Sequence, residues 1–333
     1  MAEYKYTFKK FIRDWMLIVA MLAGMGIYLL YHAIPCLHTF GPALELFCKT
    51  IQPIALFVML FLSFCKIEPQ QMKPHKWMFW LLLVQTVTFV GLALILICTK
   101  NAPGWTGWPT PAVEAGMLCL ICPTATACAV VTGKLGGNMA GVVTYTVLIN
   151  LLVAFIVPLM VPFIHPIEGM TFVSAFCMIL AKIFPLLIMP CLCAWIVRYI
   201  FPKAHKWLMD RAHWSFYVWA FSLTLAILMS TRAIIHSGSG IAILAGIAAA
   251  SLLACAFQFW IGKRIGAHYG CKISAGQALG QKNTVFGIWL GYTFLDPVVS
   301  VAGGFYSIWH NCFNTWQLYK KRMEKSPSAK SVE

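Results

Sequence analysis

Apolar runs as long as a lipid bilayer is thick follow one another along nearly the whole chain, and no other feature constrains the fold as strongly. A helix that crosses the bilayer core, which is roughly 30 Å thick, needs about 20 apolar residues. Hydrophobic residues make up 60% of the 333 residues and charged residues 11%, against about 25% charged residues in a soluble domain. We therefore expect an all-α membrane protein and not a soluble enzyme.

Ten of these runs are each predicted to form one transmembrane helix. The second is the least clear, because Lys49 interrupts the apolar stretch that begins near residue 42. Short connections leave no room for a soluble domain, so we expect a single transmembrane domain over 1–333 that ends in a basic tail at 320–333. The ten runs are 15–34, 51–65, 77–98, 111–132, 139–163, 172–200, 214–230, 241–261, 273–295 and 298–318.

The distribution of lysine and arginine predicts the orientation. If the N-terminus is cytoplasmic, 20 of these residues fall in cytoplasmic segments and two, Lys100 and Arg232, in external ones. Membrane proteins keep such an excess on the cytoplasmic side. Both termini are therefore predicted to be cytoplasmic, in a protein of the cell (inner) membrane. The net charge of +15 then requires no nucleic-acid partner.

The helix count predicts an internal symmetry. Ten helices divide into two sets of five, at about 14–163 and 171–319, and an odd number per set makes the second set enter the membrane from the opposite face. Such inverted repeats are shared by many secondary carriers, whose sites lie at broken helices near the middle of the membrane. The chain is therefore expected to hold a carrier site at corresponding places in its two halves.

Helices 4 and 9 carry the features of broken helices at corresponding places. In helix 4, Pro123 removes a backbone donor, and Thr124 and Thr126 can offer hydroxyls to the freed carbonyls. In helix 9, the four consecutive polar residues 281–284 cannot all lie on one helix face. We therefore predict that helix 4 is unwound here, and that helix 9 either breaks or directs some of these polar side chains into the bundle.

Lys282 is the strongest single signal in the sequence. It lies about ten residues from either end of its apolar run, too far for easy snorkelling. An ammonium near the bilayer centre costs roughly 2.5 to 3.5 kcal/mol on insertion scales, so such residues are functional hypotheses. Lys182 and His310 are further polar residues in apolar runs, and whether they line a cavity is left open.

These residues and their order resemble the bile acid:sodium symporter family. Cys122-Pro123 precedes a run of small and hydroxyl residues, Gly137-Asn138 opens helix 5, Lys282-Asn283-Thr284 stands where the family has Gln-Asn-Ser, and 305–311 is close to its Phe-Ser-Val-Trp-His-Asn ending. The resemblance implies a panel of helices 1, 2, 6 and 7 and a core of helices 3–5 and 8–10. It also implies that helices 4 and 9 are both broken and cross each other, with a substrate or ion site at this crossing. The candidate residues of that site are Gln85, Thr124, Thr126, Cys128, Thr146, Gln281, Lys282, Asn283 and Thr284.

Departures from the family pattern fall on its sodium-binding residues. The Ser-Asn pair of helix 4 is Cys128-Ala129 here, the glutamate of helix 9 is Ala278, and a serine of helix 5 is Val142. Cations of this kind need several hard oxygen ligands. The chain is thus expected to be a divergent member with a degraded sodium site, in which Lys282 replaces a bound cation.

The predicted function is sodium-independent secondary transport of a small organic anion of the bile-acid, steroid-like or carboxylate class. No cofactor, metal, catalytic residue or obligate protein partner is expected, and an enzyme is disfavoured because the spans hold no His-Glu-x-x-His, Ser/His/Asp or paired-carboxylate arrangement. Three alternatives stay open. They are a conventional sodium-coupled symporter, a non-transporting receptor on a carrier fold, and a metalloid exporter that uses Cys128.

Overall fold

The computed structural model describes residues 16–66, 68–99, 109–211 and 214–324, and it is helical almost throughout. Within these residues there is no β-strand, only one isolated bridge. The α-helices, numbered in chain order, are α1 Met16–Ala33, α2 Gly41–Phe64, α3 Lys76–Thr99, α4 Pro109–Ile121, α5 Cys128–Leu135, α6 Met139–Ile164, α7 Phe172–Leu187, α8 Met189–Ile200, α9 Pro202–Asp210, α10 Trp214–Ser237, α11 Ile241–His268, α12 Lys272–Gly280, α13 Thr284–Phe294 and α14 Val301–Glu324.

Six helical segments in the described part of the chain are long and apolar enough to cross a membrane. They contain α2, α3, α6, α7 with α8, α10 and α11, and three shorter apolar helices lie in α1, α4 and α13. The prediction of an all-helical membrane protein is confirmed. The count of ten spans and the two inverted repeats stay predictions.

Several helices differ in extent from the predicted runs. α2 begins at Gly41, ten residues earlier than predicted, and it contains Lys49, whose Nζ lies 2.6 Å from Glu45 Oε1 one turn away. The predicted run 172–200 is divided at Ile188, because Pro185 and Pro190 both lack a backbone donor. α14 runs to Glu324, so the predicted tail begins inside a helix, and 325–333 lie outside the described residues.

Each long helix packs on several others. α10 packs on α1 and α2, and α8 also packs on α2, whereas α11 packs on α4, α12 and α14, and α3 packs on α4 and α6. The predicted panel, helices 1, 2, 6 and 7, corresponds to α1, α2, α7 with α8, and α10. Because α7 also packs on α6, and α10 on α13, the division into a panel and a core stays a prediction. At Gly262 of α11 a Cβ atom would lie 2.8 Å from the Ala275 carbonyl oxygen, so only glycine permits this approach of α11 to α12.

Candidate functional site at the crossing of two broken helices

The two interrupted helices meet at their breaks. The first break separates α4 from α5 and the second separates α12 from α13. Thr124 and Lys282 pair as an antiparallel bridge. The Ala125 N–H donates to the Gln281 carbonyl at 2.9 Å, and the Asn283 N–H donates to the Pro123 carbonyl at 2.8 Å. Each break thus satisfies the other's backbone groups, which unwound chain at membrane depth requires.

The bridge is locally symmetric. Exchanging the two breaks converts one of its hydrogen bonds into the other, because the pairs 123/281, 124/282 and 125/283 share one sequence offset. A local two-fold axis therefore passes between Thr124 and Lys282. An inverted repeat places such an axis in the plane of the membrane.

A glutamine and a tyrosine stabilise the C-terminal carbonyls of α4 and α12, the half-helices that precede the two breaks. Gln85 Nε2 donates to the carbonyls of Ile121 and Cys122 at 3.2 and 3.0 Å, and the Tyr145 hydroxyl donates to Gln85 Oε1 at 2.9 Å. At the other break, the Tyr306 hydroxyl donates to the Gly280 carbonyl at 2.9 Å and accepts from Gln258 Nε2 at 3.0 Å. All four side chains are buried. Buried hydrogen bonds therefore stabilise the unwound backbone at both breaks.

Tyr306→Phe should destabilise the protein because it leaves the Gly280 carbonyl and one Gln258 N–H unpaired. An unsatisfied buried polar group costs about 1 to 3 kcal/mol, so we expect a loss of about 2 kcal/mol or more in the free energy of unfolding. The melting temperature in detergent measures it. Tyr319→Phe is the matched control in the same helix, since Tyr319 is 57% exposed. Equal melting temperatures for the two variants would contradict the role of the Tyr306 hydroxyl.

Lys282 is buried in the crossing without a partner for its charge. Its side chain is 1% exposed, and Nζ has no hydrogen-bond partner among the described residues. None of the ion pairs in that part of the chain involves it. Removing a partner from a buried charge costs several kcal/mol, so an unpaired buried ammonium is a costly feature.

The other predicted residues use their polar atoms within the protein. Thr124 Oγ1 donates to the Ala278 carbonyl at 2.8 Å, and Asn283 Oδ1 accepts from the Phe286 N–H at 3.2 Å as the cap of α13. Thr284 Oγ1 lies 2.6 Å from Ser307 Oγ, and Gln281 donates to Gln277. Asn283 Oδ1 therefore already accepts a hydrogen bond, whereas Thr124 Oγ1 donates its proton and keeps its lone pairs.

Three predicted residues lie less directly at the crossing. Thr126 is half-buried in the first break. Cys128 is fully buried at the start of α5, with Sγ 4.0 Å from Thr132 Oγ1. Thr146 donates to the Val142 carbonyl of its own helix at 2.9 Å. No three His, Cys, Asp or Glu side chains in the described ranges are placed to hold a metal ion.

A cavity of about 720 Å³ lies between α13 and the panel helices α2, α7 and α10. Lys49 in its wall is paired with Glu45, whereas Lys182 Nζ lies 5.5 Å from the centre of the Phe294 ring and makes no ion pair within the described residues. Gln52 Nε2 is buried without a hydrogen-bond partner there. The cavity thus presents one unpaired cation and one free amide donor. Its walls are Lys49, Gln52, Pro53, Ala181, Lys182, Pro185, Leu186, Met229, Trp289, Tyr292, Thr293 and Pro297.

A polar network beside this cavity joins three helices. Arg232 Nη2 of α10 lies 2.7 Å from Glu45 Oε2 of α2, and Arg232 Nη1 donates to the Tyr292 hydroxyl of α13 at 3.1 Å. The network therefore links panel helices α2 and α10 to the half-helix α13.

A comparison with models of protein families matches residues 14–302 to the SBF-like CPA transporter family. The chain belongs to this family. The match contains both breaks, Gln85 and Lys282, and it confirms the predicted likeness to bile acid:sodium symporters. No curated protein matches the chain. A member of a transporter family with six helices able to cross a bilayer is an integral membrane transporter.

Three residues that stabilise the breaks of this SBF-like CPA transporter were not predicted from the sequence, namely Tyr145, Gln258 and Tyr306. Gln258 carried a detectable signal, because it is a lone amide inside the apolar run 241–261. The tyrosines carried none, since a tyrosine in an apolar helix is equally typical of core packing. Lys182, left open by the sequence, lines the cavity. His310 is buried beside Tyr306, with ring centres 5.7 Å apart, and does not line it.

Proposed function

We propose that this transporter carries a small organic anion without sodium, and that the Lys282 ammonium takes the place of a bound cation. The observation that carries the proposal is the unpaired, fully buried Nζ of Lys282 at the crossing. A fixed charge there supplies the field that a sodium ion would otherwise bring. A ligand screen by thermal shift, followed by saturable uptake into proteoliposomes, tests transport directly, and binding without uptake would favour a receptor.

The half-helices around the crossing favour negative charge. α5 begins at Cys128 without a side-chain cap, and α13 begins at Thr284. Helix N-termini carry partial positive charge, and discontinuous helices of carriers direct it at anionic substrates. The opposite, carbonyl ends at Ile121 and Gly280 are hydrogen-bonded to Gln85 and Tyr306. The positive ends and Lys282 therefore dominate the local electrostatics, which supports an anionic solute.

The cavity beside α13 fits an anion with an apolar body. Sites for small molecules usually occupy about 300 to 1,000 Å³ and combine apolar walls with a few polar groups. Trp289, Met229 and Pro53 supply apolar surface, while Lys182 supplies a cation. This combination favours the bile-acid, steroid-like or carboxylate class over a fully polar ion. The Arg232 network at its side would open as α13 moves against the panel during transport.

Lys182→Gln is expected to weaken the apparent affinity for the anion about fivefold or more, because a charge contact in a partly solvated cavity contributes about 1 kcal/mol or more. Uptake measured over a range of solute concentrations would show a raised KM. Lys134→Gln is the control, since Lys134 is exposed at the end of α5, away from the cavity. An unchanged KM in the Lys182 variant would place the solute elsewhere.

The charge distribution supports an orientation with both termini in the cytoplasm. A reporter fused after Glu333 and one inserted in the connection 66–76 should both report a cytoplasmic position, because both segments are rich in lysine or arginine. Reporters active on only one side of the membrane measure this. An external signal from either fusion would contradict the ten-span arrangement.

A further inference from the structure

A surface of basic residues surrounds the short helix α9. This helix begins two residues after α8 ends at Ile200, and α10 follows at Trp214. α8 and α10 both belong to candidate membrane spans, so α9 lies where the chain leaves and re-enters the bilayer. Its residues Leu208 and Met209 pack on the protein core, whereas Lys203 and Lys206 are exposed, one turn apart.

Hydrogen bonds join the connection between α2 and α3 to the same surface. His205 Nε2 lies 2.9 Å from the Cys65 carbonyl, and Arg198 donates to that carbonyl at 3.2 Å. Lys66 Nζ donates to Ser215 Oγ at 2.9 Å, at the start of α10. We define the basic platform as the cations that these contacts bring to one end of the panel. They are Lys66, Lys203, Lys206 and Arg211.

The platform combines positive charge with aromatic residues of the membrane interface. Trp207 is 49% exposed and packs edge-on against Trp214, with ring centres 6.0 Å apart. The Arg211 guanidinium lies 4.2 Å from the centre of the Trp207 ring. Trp is enriched at the level of the lipid headgroups, and lysines near a membrane surface attract anionic lipids. Among the described residues of the two segments 66–76 and 198–215, the only carboxylates are Glu68 and Asp210.

We propose that the basic platform binds the headgroups of anionic phospholipids and so anchors the panel to the membrane surface. A lipid fits better than a soluble phosphate because Trp207 and Trp214 place the platform at the boundary between headgroups and acyl chains. The hydrogen bonds that the Cys65 carbonyl and Ser215 Oγ accept hold the platform in place before the lipid binds, which lowers the entropic cost of binding. This inference is independent of the transported solute.

Native mass spectrometry of the full-length protein in neutral detergent tests the proposal. Bound lipid is counted while dioctanoyl phosphatidylglycerol is added, with dioctanoyl phosphatidylcholine as the uncharged comparison. The variant Lys203→Gln/Lys206→Gln should weaken phosphatidylglycerol binding roughly 25-fold, since each lysine near an anionic surface contributes about fivefold. The control Lys134→Gln/Lys272→Gln removes two exposed lysines at the ends of α5 and α12, outside the platform, and should leave binding unchanged. Melting temperatures check that both variants are folded.

Three results would overturn the proposal. Equal affinity for the two lipids would show that headgroup charge is not recognised. Equal weakening by the two double variants would show an effect of net charge alone. Binding of inorganic phosphate or poly-glutamate in the absence of lipid, lost in Lys203→Gln/Lys206→Gln, would identify a soluble anion or an acidic protein as the partner instead.

Discussion

Lys282→Met is expected to leave the folded protein as stable as before or more stable, and to reduce uptake of the anion about tenfold or more. Methionine fills a similar volume without a charge, and replacing a buried, unpaired ion by an apolar side chain is neutral or stabilising. The loss of uptake follows because an ammonium and a carboxylate about 8 Å apart interact by about 2 kcal/mol at an effective dielectric constant near 20. Melting temperature and initial uptake rates in proteoliposomes are the two measurements.

These two readouts separate a functional lysine from a structural one. If Lys282 held the crossing together, the methionine variant would melt at a lower temperature and lose uptake in proportion. Lys134→Met is the control for general effects of removing a cation, because Lys134 is exposed. If the Lys282 variant bound every ligand from the screen as tightly as the wild type does, the proposed electrostatic role would be wrong.

Uptake is expected to differ by less than about tenfold between sodium and choline medium at fixed pH, which corresponds to less than about 1.4 kcal/mol of coupling. Coupling requires that sodium binds one state of the carrier more tightly together with the solute. Ala278 stands where the family resemblance implies a helix 9 carboxylate in sodium-coupled members. Gln85 Oε1 already accepts from Tyr145, and Asn283 Oδ1 accepts from the Phe286 N–H. Initial uptake rates in the two media measure the effect.

Lys282→Gln provides the second arm of this experiment. Without the fixed ammonium, the crossing regains a neutral amide at the position where sodium-coupled relatives carry glutamine, so uptake should weaken or become dependent on an added cation. A tenfold rise of wild-type uptake in sodium would contradict the proposal and favour a conventional symporter. Repeating the wild-type assay across a pH gradient distinguishes exchange or uniport from coupling to protons that Lys282 would carry.

The features that could be predicted from the sequence are those encoded by neighbouring residues. Bilayer solvation acts on each helix separately, so apolar runs of about 20 residues are sufficient to indicate an all-helical membrane protein. The breaks are local too, because Pro123 lacks a donor and 281–284 are consecutive polar residues. The start of α2 was predicted ten residues too late, and the division of the run 172–200 at Ile188 was not predicted. The effect of a lysine or a proline on a helix varies with the packing around it.

The arrangement of the site required contacts between residues far apart in the chain. The bridge joins Thr124 to Lys282, and the hydroxyl of Tyr306 reaches the carbonyl end of α12. The sequence indicated that Lys282 lies within the bilayer. Only the packed helices show that its Nζ has no hydrogen-bond partner in the described part of the chain, and that Lys182 lines a cavity. Burial and pairing are properties of the surroundings of a side chain, and those surroundings form only when the two halves of the chain pack against each other.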